Sequence, residues 1–141
     1  MLNLLLAEKG LLCQKEKIRL NCVADGQRLN HMEKPDIYSL FGNALDNAIE
    51  AVRLVENPDM RIITLTVVGA MGMTSVCVEN YYQGDSIKVE DGLPVTTKKD
   101  SVYHGYGVKI MQYLVNKYRG EMSICAEHNV FSLKLLLPDP E

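Results

Sequence analysis

Apolar residues recur every three or four positions through "LNLLLAEKGLLCQKEK", from Leu2 to about Glu16, with only Gly10 interrupting a run of good helix formers. This predicts a leading helix. The next segment, "KIRLNCVAD", sets Ile18, Leu20 and Cys22 against Arg19, Asn21 and Val23. That period of two predicts a strand near 17–24, ending at the turn-prone pair Asp25-Gly26. The helical period returns in "PDIYSLFGNALDNAIEAVRLVEN", with apolar side chains at Ile37, Leu40, Phe41, Ala44, Leu45, Ala48, Val52 and Val55. Pro35 and Asp36 suit its start and Pro58 bars its continuation, which predicts a helix over 35–56. "RIITLTVVGAMGMTSVCVEN" is β-branched, alternating and broken by Gly69 and Gly72, the pattern of a hairpin.

Residues 81–104 lose this periodicity and concentrate Gly, Asp, Lys and Thr, which predicts a long loop; loops of that length inside a compact domain are usually functional or mobile. "GYGVKIMQYLVNKYRG" then places Val108, Met111, Leu114, Val115 and Tyr118 on one helical face, with Gly120 as the stop. "EMSICAE" and "VFSLKLLLP" alternate on either side of His128-Asn129 and predict a terminal hairpin closing at Pro138. The sum is an α+β chain: a two-layer sandwich in which helices cover one face of a mixed, mostly antiparallel sheet of about five strands.

Composition narrows the classes without changing this picture. A chain of 141 residues with 47% hydrophobic content and a net charge of −3 is one globular domain with its own core, not a nucleic-acid-coating protein. Cys13, Cys22, Cys77 and Cys125 show no CxxC spacing and read as buried free thiols of a reducing compartment. Glu8 and Lys9 interrupt the apolar start too early for a signal peptide or a membrane span.

The chemistry concentrates in "LFGNALDNAIEA". Asn43, Asn47 and Glu50 fall at i, i+4 and i+7 on one side of the predicted helix, with Asp46 beside them. Unpartnered buried amides cost about 1–3 kcal/mol each, so such a stripe needs something polar to face. One reading is an amide pair that caps a neighbouring loop. The other is a ligand-facing edge, since amide oxygens are suitable neutral ligands for Mg2+ beside nucleotide phosphates. The second gains from its company: a strand ending in Asn80, a long polar loop, and "HGYG" (His104 to Gly107) opening a helix, where glycines let backbone N–H groups approach phosphate.

These motifs in this order resemble the ATP-binding domain shared by DNA gyrase, heat-shock chaperones, histidine kinases and mismatch-repair proteins, the GHKL superfamily with its Bergerat fold. Within it, "SLFGNALDNAIEA", "VEN", "TTKKDSVYHGYGVKIM" and "LVNKYRGEMSI" most resemble the catalytic domains of quorum-sensing histidine kinases of the accessory-gene-regulator type, over about Leu12 to Pro138. The resemblance implies ATP and Mg2+ as cofactors, with Asn47 ligating the metal and Asn43 touching metal or phosphate, and Glu50 completing the catalytic stripe. It implies nucleotide contacts from Asn80, Thr97, Lys98, His104, Gly105, Tyr106, Gly107 and Val108. Where gyrase-like hydrolases carry a water-activating glutamate this chain has Asn43, which implies phosphoryl transfer rather than hydrolysis. Where the superfamily carries an aspartate for the adenine amino group it has Asn80, whose carbonyl oxygen accepts the same bond without the charge.

A histidine kinase also needs a phospho-accepting histidine on a helical hairpin. His31, His104 and His128 occupy no such helix. The expectation is therefore a linker helix over 1–16 followed by a catalytic domain over 17–141, cut from a membrane-anchored sensor and lying on its cytoplasmic side. Its partners would be the parent kinase's histidine-bearing dimerisation domain, a response regulator and, in the full-length protein, a second copy; no nucleic acid is among them. The alternative is a non-catalytic nucleotide-binding or protein-interaction module of the same fold.

Overall fold

The computed structural model describes residues 2–83, 88–90, 93–95 and 101–140, with side chains left aside in 88–90, 93–95 and 101–106. Helix α1 (Leu2–Lys15) buries Leu2, Leu5 and Cys13. It stops where Lys17 turns left-handed at φ 58°, and the Ile18 N–H closes back on the Cys13 carbonyl at 2.8 Å. Strand β1 (Arg19–Ala24) leads into a short 3-10 turn over Gly26–Leu29, capped by the Asp25 carboxylate accepting from the Gln27 N–H. Helix α2 (Lys34–Arg53) buries Leu40, Phe41, Leu45 and Ile49, and its last residue lies three short of the predicted end. Strands β2 (Ile62–Ala70) and β3 (Met73–Tyr81) follow, then a small pair, β4 (Lys88–Glu90) and β5 (Leu93–Val95). Helix α3 (Ser101–Lys117) and the hairpin β6 (Glu121–Glu127) and β7 (Val130–Pro138) complete the chain.

The main sheet has five strands in the order β1-β2-β3-β7-β6. β1 runs parallel to β2 because α2 carries the chain back between them; every other pair is antiparallel. Both hairpins of the sheet close through two residues of positive φ, Met71-Gly72 at 57° and 76° and His128-Asn129 at 53° and 64°, the twist that matches flanking strands. Alternation does the rest. Ile63, Leu65 and Val67, Val76 and Val78, and Leu133, Leu135 and Leu137 all point to one face, where they meet Phe41, Leu45, Met111 and Val115 in a single core. The opposite face carries Thr64, Thr66, Ser75 and Lys134 toward solvent. This is the expected α+β sandwich.

Arg61 secures two helix ends at once. Its guanidinium donates to the carbonyls of Val55 (2.9 Å), Arg53 (3.3 Å) and Glu16 (3.1 Å), where outgoing carbonyls of α2 and α1 lack helical partners. Among the described residues no helix is long and apolar enough to cross a membrane.

Three expectations are corrected. The long loop over 81–104 holds the β4–β5 pair, and α3 begins at Ser101, so "HGYG" lies within the first turns of a helix instead of opening one. Interior glycines cost a helix only about 1 kcal/mol each, which the flanking turns sustain. The cysteines are free, but only Cys13 is buried: Cys22 and Cys125 are exposed and Cys77 is intermediate. Cys77 and Cys125 fall on the outer face of the sheet and Cys22 on its edge strand, positions that strand alternation alone does not distinguish from core. Partial burial, followed by the neighbouring Glu79 carboxylate, pushes the Cys77 thiol up to about 11.

Candidate functional site: an amide pair facing a glycine

Helix α2 presents Asn43, Asn47 and Glu50 half-buried along one side, while Ala44, Leu45, Ala48 and Ile49 fill the core behind them. The Asn43 amide nitrogen donates to the Ser39 carbonyl one turn back at 2.7 Å, which fixes the amide plane and turns its Oδ1 away from α2. That oxygen faces α3. A β-carbon built on Gly107 would stand 3.0 Å from Asn43 Oδ1 and 4.0 Å from Asn47 Oδ1. Two carbonyl-type oxygens one helical turn apart thus face Gly107, that of Asn43 tightly and that of Asn47 at ordinary contact distance. Asp46, on the adjoining face, turns elsewhere: its carboxylate pairs with Lys9 of α1 at 2.6 Å.

Asn80 is 3% exposed on the inner face of β3, between Ile63 of β2 and Phe131 of β7. Its amide nitrogen donates to the Tyr81 carbonyl at 3.2 Å, which leaves Oδ1 as the acceptor of the pair. The chain beyond β3 stays tied to its surroundings: the Tyr82 N–H reaches the Asn129 carbonyl at 2.9 Å, and Gln83 accepts from the Glu56 N–H at 2.8 Å.

The sequence-predicted residues therefore divide. The structure brings Asn43, Asn47 and Gly107 together and buries Asn80 on the helix-covered face. Val108 is buried in the core, 4% exposed. His104, Gly105 and Tyr106 lie in α3 with side chains outside the described set, and Thr97 and Lys98 lie outside the described residues. Because α3 starts at Ser101, the N–H groups of Gly105 and Gly107 fall beyond the four that a helix leaves without partners. What Gly107 supplies here is clearance for the Asn43 amide oxygen. Ser39 was missed in the sequence, although its i−4 spacing from Asn43 was a legible signal.

The donor set suits a hard cation. Among the described residues no group of three or more His, Cys, Asp or Glu side chains gathers as a metal cluster. A cation here would meet neutral amide oxygens and would need phosphates and water to complete its shell, the habit of Mg2+ rather than of zinc.

Comparison with known proteins agrees with this fold. Residues 32–138 match the family model of the GHKL domain, and the chain belongs to that family. Its fold is similar to the catalytic domain of the histidine kinase ThkA, with a TM-score of 0.67 at 21% identity over 99% of this chain and 95% of that one. It is also similar to the mycobacterial sensor histidine kinase MprB, with a TM-score of 0.64 at 12% identity over 98% and 94%. The Acinetobacter baumannii histidine kinase AdeS gives 0.64 at 11% identity, over 99% of this chain and 64% of that one. Among curated proteins the sequence finds no match.

Proposed function

We propose that this chain is the ATP-binding catalytic domain of a sensor histidine kinase of the accessory-gene-regulator type, passing the γ-phosphoryl group of ATP to a histidine carried elsewhere in the parent protein. The observation that carries the reading is the convergence of the Asn43 and Asn47 oxygens on Gly107, in a chain of the GHKL family. Asn47 and Asn43 would hold Mg2+, which supplies charge neutralisation to the triphosphate when bound. Asn80 offers its Oδ1 to the adenine amino group. Thr97, Lys98, His104, Gly105, Tyr106 and Gly107 are assigned to the nucleotide by resemblance, and Glu50 to the edge of the stripe. An amide at position 43 cannot take a proton from water, so the chain's own groups favour positioning over hydrolysis. Helix α1 is assigned as the junction to the dimerisation and acceptor region, with a response regulator downstream and a membrane anchor elsewhere in the parent.

The test is calorimetry and thermal unfolding with ATP, with and without Mg2+. Stabilisation following mass action, about 2.7 kcal/mol at a hundredfold excess over the dissociation constant, is the expected result. No heat and no thermal shift at millimolar nucleotide would overturn the reading. The second reading, a non-catalytic module of the same fold, draws on Asn80 standing where a charged aspartate is usual. Nucleotide binding with no transfer to a supplied acceptor domain would favour it.

A further inference from the structure

Helix α2, which carries the amide pair, lacks a cap of its own: its N-cap residue Glu33 makes no side-chain capping bond. The partner comes from the far end of α3. The Glu33 N–H donates to the Tyr118 hydroxyl at 3.0 Å, and that hydroxyl donates to Asp36 Oδ2 at 2.5 Å. Asp36 occupies the N3 position, from which an acidic side chain in a capping box reaches back to the N-cap N–H directly. Here the tyrosine oxygen stands between them and relays the bond. Lys117 adds its ammonium 2.7 Å from Asp36 and 3.4 Å from Glu33, and the His31 ring meets Tyr118 edge-on with centroids 6.1 Å apart.

We propose that Tyr118 is a positioning residue for the amide pair: by completing the cap of α2 from the end of α3, it sets the register in which Gly107 meets Asn43 and Asn47. The two helices touch antiparallel, the start of α2 against the end of α3 and the middle of α2 against Gly107. An α-helix advances about 1.5 Å and turns about 100° per residue, so a slip of one residue at Tyr118 swings a neighbouring side chain into the space Gly107 leaves open. Tyr118 works as the stop that prevents this.

The role rests on the nucleotide reading only in its second arm, so the two can fail separately. In the first arm, amide hydrogen exchange is followed in ligand-free wild type and Tyr118→Phe, which lacks only the hydroxyl. Exchange over residues 107–111 is expected to quicken about tenfold while β2 and β3 keep their protection. Equal acceleration in helices and sheet would mean a merely structural tie and would overturn the proposal. Asp36→Asn, which keeps an acceptor for the hydroxyl, is expected to keep wild-type protection over residues 107–111, and Asp36→Leu to lose it as Tyr118→Phe does; the reverse order would also overturn it. In the second arm, Mg2+-ATP affinity is measured where both proteins are fully folded, with about a fivefold loss expected in Tyr118→Phe. An unchanged dissociation constant would refute the positioning role. A wild type that binds no nucleotide would refute the function proposed above and leave the exchange arm to decide for Tyr118.

Discussion

Asn43 and Gly107 are complementary: the amide oxygen of one lies 3.0 Å from where the other would carry a β-carbon. Gly107→Ala should therefore separate stability from binding. Alanine raises helix propensity by about 1 kcal/mol, which offsets the crowding of a side chain that can shift by a few tenths of an ångström. Urea unfolding of the ligand-free variant is expected within about 1 kcal/mol of wild type, with Mg2+-ATP affinity down about tenfold or more. Wild-type affinity in this variant would detach the glycine from the site.

Asn47 distinguishes a ligand edge from a structural amide. As a half-buried group facing α3, it should tolerate Asn47→Asp in the ligand-free fold with little change in the urea midpoint, while the Mg2+-ATP response changes. If Asn47 instead capped buried structure, the new charge would cost several kcal/mol with or without nucleotide. A badly destabilised variant whose nucleotide response is unaltered would return the stripe to the loop-capping reading.

Gly120 gives the opposite case, a glycine that serves only the fold. A β-carbon there would stand 2.5 Å from the Leu136 carbonyl oxygen and 2.7 Å from a Leu137 methyl, and β7 backbone cannot withdraw cheaply. Gly120→Ala is expected to cost about 2–4 kcal/mol in chemical denaturation. A midpoint equal to wild type would show that β7 yields at this turn.

The cap on α2 has a pH signature. Hydrogen bonds from Lys117 and then Tyr118 hold the Asp36 carboxyl below its ordinary range, so the stabilisation is complete above its unfolded value of about 4. It is lost as pH falls through the lower folded-state value. Lys117 is raised, chiefly by Asp36, and its share is kept below its own unfolded value and lost only as alkali carries pH through the folded one. The midpoint difference between wild type and Asp36→Asn is thus expected to be constant near neutrality and to shrink in acid below about pH 4. A difference that persists undiminished in acid would show that the carboxylate charge plays no part.

Phosphoryl transfer within the isolated chain is not expected. His31 packs edge-on against Tyr118 and His128 sits in the tight β6–β7 turn, neither on a helix that could present an imidazole to a nucleotide. Incubation with labelled ATP should leave no acid-labile label. Stoichiometric label on His31, His104 or His128 would refute the proposed division between this domain and a phospho-accepting histidine carried elsewhere.

The long elements were readable because their periods are strong and local. The apolar face of α2 and the alternation of β2, β3 and β7 state the layer and the face together. β4 and β5 were not, being three residues each with Pro94 inside one of them, and the start of α3 is hidden because Gly105 and Gly107, which read as breakers, outweigh the start signal of Asp100 and Ser101. Part of the candidate site was legible: Asn43 and Asn47 share a face by spacing alone. Their apposition to Gly107 and the Tyr118 cap join residues sixty or more positions apart in sequence, which no local period encodes.

The pairing of β3 with β7, residues 73–81 against 130–138, has a kinetic consequence. The hairpins β2–β3 and β6–β7 each close over two residues, but the seam between them must wait for the whole intervening chain, α3 included, to be drawn in. The contact of Gly107 with Asn43 likewise joins distant parts of the chain and carries the same kind of closure cost, so the candidate nucleotide edge is expected to form late in folding. Ligand then stabilises what forms after the barrier: it should slow unfolding in proportion to its binding energy and leave the refolding rate unchanged.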